Sequence, residues 1–170
     1  MTAAASVSTA YTGARETSPR TVARLAGLFF LLYVVLGVYA ETFIRDQIVV
    51  SGNAAATAAN ILAHESTFRL GYALYLLEMS FQVVTTALFY ELLKPVNKGL
   101  SALSATFSYI GIGIKTLARL FYLAPLYVLG DSGSPAAFSA DHHEALSLVF
   151  LRVDSGMAAV ALVFFGFATV

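Results

Sequence analysis

Two cations lie one helical turn apart in a stretch that otherwise has the composition of a membrane span. Lys115 and Arg119 belong to GIGIKTLARLFYLAPLYVLG, residues 111–130. In hydrocarbon a charged side chain costs at least about 2.5 kcal/mol, so such residues face a partner or a water-filled cavity. The sequence therefore has to supply anions, or access to water, at the depth of these two residues.

Acidic side chains lie at matching depths in the other apolar runs. At 1.5 Å per residue, Glu78, Asp154, Arg119 and Arg152 fall about 15–18 Å from the outer helix ends, with Lys115 slightly deeper. Asp154 and Arg152 are two residues apart and cannot share a helix face. Three acids and three bases allow every charge to be neutralised internally, and we expect Glu78 to pair with Arg119 or Arg152. The predicted intramembrane cluster comprises Glu41, Glu78, Lys115, Arg119, Arg152 and Asp154.

Polar residues with helical spacing lead toward this cluster on two runs. Glu78, Gln82 and Thr85 share one face of the second run. On the third run the same spacing leads from Ser104 and Ser108 to Lys115. We predict that these polar stripes face the interior of a helix bundle, because polar groups in a membrane avoid lipid.

The composition is that of an integral membrane protein. Of 170 residues 58% are hydrophobic and 12% charged, whereas soluble domains carry about 25% charged residues. Ten basic and ten acidic side chains cancel, which argues against nucleic-acid binding. The absence of cysteine excludes disulfides, thiolate nucleophiles and Cys-ligated metals.

Four apolar runs predict an all-α bundle of four transmembrane helices in one domain, residues 22–170. An amphipathic segment, residues 54–64, follows the turn signal Ser51-Gly52-Asn53 and is too short to cross a bilayer. We expect it at the outer surface and residues 1–21 to form a flexible cytoplasmic tail. The predicted spans are residues 22–44, 68–93, 99–130 and 144–170.

The distribution of basic residues predicts the orientation. Arg15, Arg20, Arg24, Lys94 and Lys98 flank the apolar runs on one side, which the positive-inside rule assigns to the cytoplasm. Arg45 and Arg69 are then exceptions on the outer side. The prediction is a multi-pass protein of the cell membrane with a cytoplasmic N-terminus. An interfacial aromatic belt is expected from Tyr33, Tyr39, Tyr72, Tyr90, Tyr122 and Tyr127.

The histidines give only a weak indication of a metal site. His64, His142 and His143 fall on the predicted outer side, but no ligand-spacing motif connects them, so we assign no metal and no cofactor. No histidine lies within a predicted span to ligate haem. No serine has a nucleophile-elbow context, so the sequence does not favour an enzyme.

Three stretches resemble a family of bacterial multi-pass membrane proteins known as domain of unknown function forty-three eighty-six. They are AGLFFLLYVVLG, AAATAANILAHESTFRLG and YELLKPVN, within a match that covers most of residues 23–165. Members of that family have about two further spans, so the resemblance implies that this chain is cut from a longer architecture. The family is uncharacterised, and it implies no catalytic residues.

Two functions compete for the charge cluster. The leading hypothesis is a non-enzymatic scaffold or accessory subunit, in which an ion-pair network fixes the helix register. The alternative is a small transporter or proton-relay protein that uses the charges directly, and a membrane enzyme is the third. The expected partners are the lipid bilayer and either another membrane protein or a second copy of the chain. A water-filled cavity that reaches Glu78 would favour transport.

Overall fold

A computed structural model describes residues 18–130 and 139–169, all of which fall in helices and their connections. Among the described residues, four helices are long and apolar enough to cross a membrane, which confirms the predicted four-span helical membrane protein. The first of them continues from α1 through a π-helical segment into the short α2. The elements are α1 (Pro19–Tyr39), the π-segment (Ala40–Arg45), α2 (Asp46–Ile48), α3 (Ala54–Ala63), α4 (Glu65–Leu93), α5 (Lys98–Leu129) and α6 (Ala140–Ala168).

The helix ends differ from the predicted spans by a few residues. α1 begins at Pro19, where the Ser18 hydroxyl accepts a hydrogen bond from the Thr21 amide and proline occupies the first turn. Residues 19–21 are therefore helical, although the sequence analysis placed them in the tail. The rest of that tail, residues 1–17, and the loop at residues 131–138 lie outside the described residues.

The long helices pack in chain order, α1 against α4, α4 against α5 and α5 against α6. Two close contacts depend on glycine. A Cβ atom at Gly111 would lie 2.9 Å from the Phe165 ring of α6, and one at Gly71 would lie 2.8 Å from the Tyr122 hydroxyl of α5. Small residues let transmembrane helices approach closely, so Gly111 serves the packing of α5 against α6 and Gly71 that of α4 against α5.

The short helix α3 covers one end of the bundle. As predicted, Ser51 and Gly52 form a turn, with Gly52 at φ 78°, and the Asn53 side chain caps α3 by accepting from the Ala56 amide. The buried Thr57 hydroxyl bonds main-chain carbonyls at Val50 and Asn53. These bonds fix α3 to the preceding turn, while its contacts with α5 and α6 place it across the bundle, and we call the end it covers the capped end. The opposite end, with the α4–α5 connection, is the open end.

The hydrophobic core lies at the capped end. Phe68 stacks on Tyr122 with ring centroids 4.3 Å apart, and Ile61 from α3 packs into the same cluster. Tyr122 is fully buried, so its predicted place in an interfacial aromatic belt is wrong. Its hydroxyl-bearing ring fills the space that Gly71 leaves open. This core lies directly beside the polar groups described below, since Tyr75 and Tyr122 belong to it.

Candidate functional site

Five side chains from all four spans form a closed ring of polar contacts at the capped end. The ring contains two acids and two bases, so its formal charge is zero. Such internal neutralisation is what buried charges require in a membrane. We call this group the arginine ring, and its members are Glu41, Arg45, Tyr75, Arg119 and Asp154.

Arg119 and Asp154 form the most deeply buried pair of the ring. Nη1 of Arg119 lies 3.0 Å from both carboxylate oxygens of Asp154, and the two side chains are only 4% and 0% exposed. The Arg119 guanidinium also lies over the Tyr75 ring, with 3.6 Å from Cζ to the ring centroid. The cation is therefore neutralised by a carboxylate on α6 and faces an aromatic ring on α4.

The π-segment completes the ring. Glu41 Oε1 accepts from Arg45 Nη1 at 2.8 Å, and Glu41 Oε2 accepts from the Tyr75 hydroxyl at 2.5 Å. Arg45 Nη2 donates to the Ser155 hydroxyl at 2.5 Å and lies 3.7 Å from Asp154 Oδ2. Segments with i→i+5 hydrogen bonds are rare in proteins overall, and those that occur often lie at functional sites. Here one such segment carries two of the five ring members.

Lys115 and Glu78 form a second, separate ion pair nearer the open end. Lys115 Nζ donates to Glu78 Oε1 at 2.5 Å, and the side chains are 21% and 3% exposed. Gly37 of α1 makes room for the acid, because a Cβ atom there would lie 3.3 Å from the Glu78 carboxyl carbon. Glu78 Oε2 has no hydrogen-bond partner among the described residues. The carboxylate of this pair is thus half satisfied, whereas all carboxylate oxygens of the ring contact a donor or a cation; the ring's unpartnered atoms are the Nε atoms of Arg45 and Arg119.

A cavity of about 460 Å³ reaches Lys115 from the open end. It lies between α1, α4, α5 and α6 and extends along α5 from Ser101 to Lys115, a rise of about 21 Å. At about 30 Å³ per water molecule, such a space has room for on the order of ten waters. Its wall combines aromatic rings (Phe30, Tyr33, Phe89, Tyr90, Phe165) with polar side chains (Gln82, Thr85, Thr86, Ser101, Ser104, Ser108).

The polar part of this wall includes a group of hydrogen-bond acceptors. Four of its hydroxyls already donate to main-chain carbonyls, at distances from 2.5 to 3.1 Å. Their lone pairs are therefore what they can offer to the cavity. The Gln82 side-chain oxygen is buried and has no partner among the described residues. The four hydroxyls belong to Thr85, Thr86, Ser101 and Ser104.

The predicted cluster is therefore two groups, and one member belongs to neither. Arg152 is exposed and forms no ion pair or side-chain hydrogen bond with the described residues. It lies on a different face of α6 from Asp154, because the two are two residues apart. The expected pairing of Glu78 with Arg119 or Arg152 is wrong, because Lys115 lies nearer along the same face of α5 and reaches Glu78 first.

The predicted polar stripes do face inward. Gln82, Thr85, Ser104 and Ser108 all line the cavity, together with Lys115. Their helical spacing was enough to place them on one interior surface. The volume of the cavity could not be inferred from the sequence, because it depends on how far apart the helices lie.

Sequence reasoning missed two members of the arginine ring. The basic-flank interpretation of Arg45 overlooks that it lies four residues after Glu41, a spacing that predicts an ion pair. Tyr75 keeps helical spacing with Glu78, but nothing in the sequence marks it as a partner of Glu41. Only Arg45 therefore carries a signal that a search for partners of Glu41 would find.

The histidines do not form a metal site within the described residues. No group of three His, Cys, Asp or Glu side chains there is placed to hold a metal ion. His64 Nδ1 lies 3.2 Å from the Asn60 carbonyl, and His142 Nδ1 lies 2.6 Å from the Ser139 hydroxyl. His143 is in the first turns of α6.

Comparison with known proteins places the chain in one family. The model of the family described as Domain of unknown function (DUF4386) matches residues 25–170. The chain belongs to this family. No curated protein and no solved structure matches this chain.

Proposed function

We propose that this member of the DUF4386 family binds a small amphipathic solute in the cavity of its open end, as a small transport protein would. The observation that carries the proposal is a cavity of about 460 Å³ that ends at Lys115, the partner of Glu78. Intramembrane ionisable residues that reach a cavity are typical of solute and proton pathways. Because the Lys115–Glu78 pair is neutral overall, the cavity has no net charge to neutralise.

The wall favours a solute that donates hydrogen bonds. The lone pairs of four hydroxyls and the unpartnered oxygen of Gln82 all accept. Opposite them lie aromatic side chains, Phe30 and Tyr33 among them, which suit an apolar ring or chain. An aromatic or alkyl amine or alcohol combines these two features. A carboxylate would bring further acceptors to an acceptor-rich surface.

The basic flanks support entry from the cytoplasm. Arg20 and Arg24 lie at the start of α1, and Lys94 and Lys98 lie at the α4–α5 connection, so all four are at the open end. By the positive-inside rule this end lies on the cytoplasmic side of the cell membrane. The N-terminus then lies inside and α3 outside. The solute would reach Lys115 from the cytoplasmic face.

A scaffold or accessory subunit is the second candidate, and the arginine ring favours it. The ring joins all four spans in one neutral, closed set of contacts, a device that fixes helix register. A bundle held this way could support another membrane protein or a second copy of the chain. The cavity adds nothing to that role, and this is why we rank solute binding first.

A cysteine in the cavity tests solute binding. Because the chain has no cysteine, Ser108→Cys introduces a single thiol in the cavity wall, and Thr106→Cys is a matched control on the exposed face of the same helix. We expect a charged methanethiosulfonate to modify Cys at 108 in nanodiscs and to leave Cys at 106 unmodified. Phenethylamine and phenethyl alcohol should slow modification at 108, and phenylacetate should not.

A second variant tests whether the Gln82 side-chain oxygen accepts a hydrogen bond from the solute. Gln82→Leu removes the unpartnered oxygen while keeping the side chain close in size, so protection by phenethyl alcohol should weaken. If none of the three compounds protects Cys at 108, the solute proposal is wrong and the scaffold stands. Protection by phenylacetate alone would show that Lys115 recognises an anion and would overturn the donor assignment.

A further inference from the structure

We propose that the capped end holds a second site, which binds the phosphoethanolamine group of a membrane lipid. A pocket of about 250 Å³ lies between the end of the first span and α6, apart from the cavity of the open end. It is lined on one side by Asp46 and the Ser51–Gly52 turn and on the other by Arg152. No part of the proposed solute site contributes to it.

Two opposite charges in this pocket have no partner within the described part of the chain. Arg152 and Asp46 are both exposed, and neither forms an ion pair or a side-chain hydrogen bond there. The third charged lining residue, Arg45, is already engaged by Glu41 in the arginine ring. The pocket therefore offers one free guanidinium and one free carboxylate, and its remaining charge is zero.

A zwitterion with a phosphate and an ammonium group complements this pair. Guanidinium binds phosphate through two or more parallel hydrogen bonds, and a carboxylate accepts from an ammonium. Phosphoethanolamine carries both groups. Phosphocholine has no N–H to donate to Asp46, and phosphoglycerol has no cation. Discrimination among these headgroups thus depends on Asp46, while Arg152 binds the phosphate of all three.

The depth of the pocket suits a lipid. The first span ends at Ile48, and the chain then becomes extended at Val49 and turns at Gly52, so the pocket lies where a span leaves the bilayer. Leu148 on α6 adds an apolar wall beside the charges. A lipid whose headgroup binds at this level could keep its acyl chains in the membrane. A soluble ligand without an apolar part would gain nothing from the apolar wall at Leu148.

Melting temperatures of the delipidated protein in detergent test the site. The added probes are phosphatidylethanolamine, phosphatidylcholine, phosphatidylglycerol and soluble phosphoethanolamine, compared at equal concentration. We expect the largest upward shift with phosphatidylethanolamine, since a ligand of the folded state raises its stability. A shift with soluble phosphoethanolamine of equal size would support the site and assign it a soluble ligand.

Two variants distinguish the contact of Arg152 with the phosphate from the contact of Asp46 with the ammonium group. Arg152→Gln should weaken lipid binding, measured by native mass spectrometry, by about tenfold for all three lipids. Asp46→Asn should weaken only phosphatidylethanolamine. Arg69→Gln is the control, because Arg69 is an exposed base that lies outside the pocket and pairs with Glu65.

Both contact residues are exposed, so we expect these variants to melt like the wild type without lipid. Equal shifts from all three lipids in the wild type would overturn the proposal. Loss of binding in Arg69→Gln equal to that in Arg152→Gln would also overturn it, because binding would then follow the general surface charge.

Discussion

The two ends of this bundle treat buried charge in opposite ways. At the capped end, Arg119 and Asp154 are almost fully buried and belong to a closed ring that joins all four spans. Toward the open end, Lys115 is partly exposed to a cavity, and its partner Glu78 keeps one carboxylate oxygen without a bond. Both groups are neutral, so the difference lies in the cavity that reaches Lys115 and in the oxygen that Glu78 keeps without a bond.

This difference shows that neutrality alone does not indicate a role. The carboxylates of the ring already accept from guanidinium or phenol groups, so they offer little to a further donor. At the other end, Lys115 lies at the end of a cavity and its partner Glu78 keeps one carboxylate oxygen without a donor. The same residue types therefore suit stability at one end and, as we propose, recognition of a solute at the other.

The largest effect is expected from removing the acid of the ring. Asp154→Asn keeps the shape of the side chain but leaves Arg119 buried without its anion, and we expect a loss of about 3–5 kcal/mol in the free energy of unfolding. Thermal melting in detergent, followed by far-UV circular dichroism, measures it. Asp141→Asn, at an exposed position in the first turn of α6, is the matched control.

The double variant Asp154→Asn, Arg119→Gln separates charge from packing. Removing both charges should recover part of the lost stability, since the unpaired buried cation is the main penalty. A double variant that is as unstable as the sum of the two single variants would show that the ring contributes only shape.

A smaller effect is expected from the same kind of change at the open end. Lys115→Met leaves Glu78 without its cation, but the cavity lets water reach position 115, so we expect a smaller loss, about 1–3 kcal/mol. Lys98→Met, at an exposed position at the start of α5, is the control. If Lys115→Met costs as much as Asp154→Asn, the two ends are equally enclosed and the contrast between them is wrong.

The sequence predicts the helices well because its apolar runs are long and sharply bounded. It also predicts which polar residues face inward, since Gln82, Thr85, Ser104 and Ser108 keep helical spacing with the charges. Spacing determines a face and an approximate depth. It does not determine a partner, and the predicted pairing of Glu78 was wrong for this reason.

The remaining features depend on tertiary structure. The π-segment at Ala40–Arg45 contains no proline or glycine to mark it, so its effect on Glu41 and Arg45 was not predictable. Tyr122 looked like an interfacial tyrosine because it lies near the end of an apolar run, whereas α3 and Phe68 cover it. A helix that folds back over a bundle end changes which residues near that end are buried.

The most direct test of the account compares access to water at the two ends. Ser108→Cys places a thiol in the cavity, and Ser147→Cys places one at a fully buried position of α6 near the capped end. Each variant in nanodiscs is treated with a charged methanethiosulfonate, which reaches both faces of the membrane. The account predicts rapid modification at position 108 and none at position 147 in the folded protein. Comparable rates at the two positions, or an unreactive thiol at 108, would contradict it.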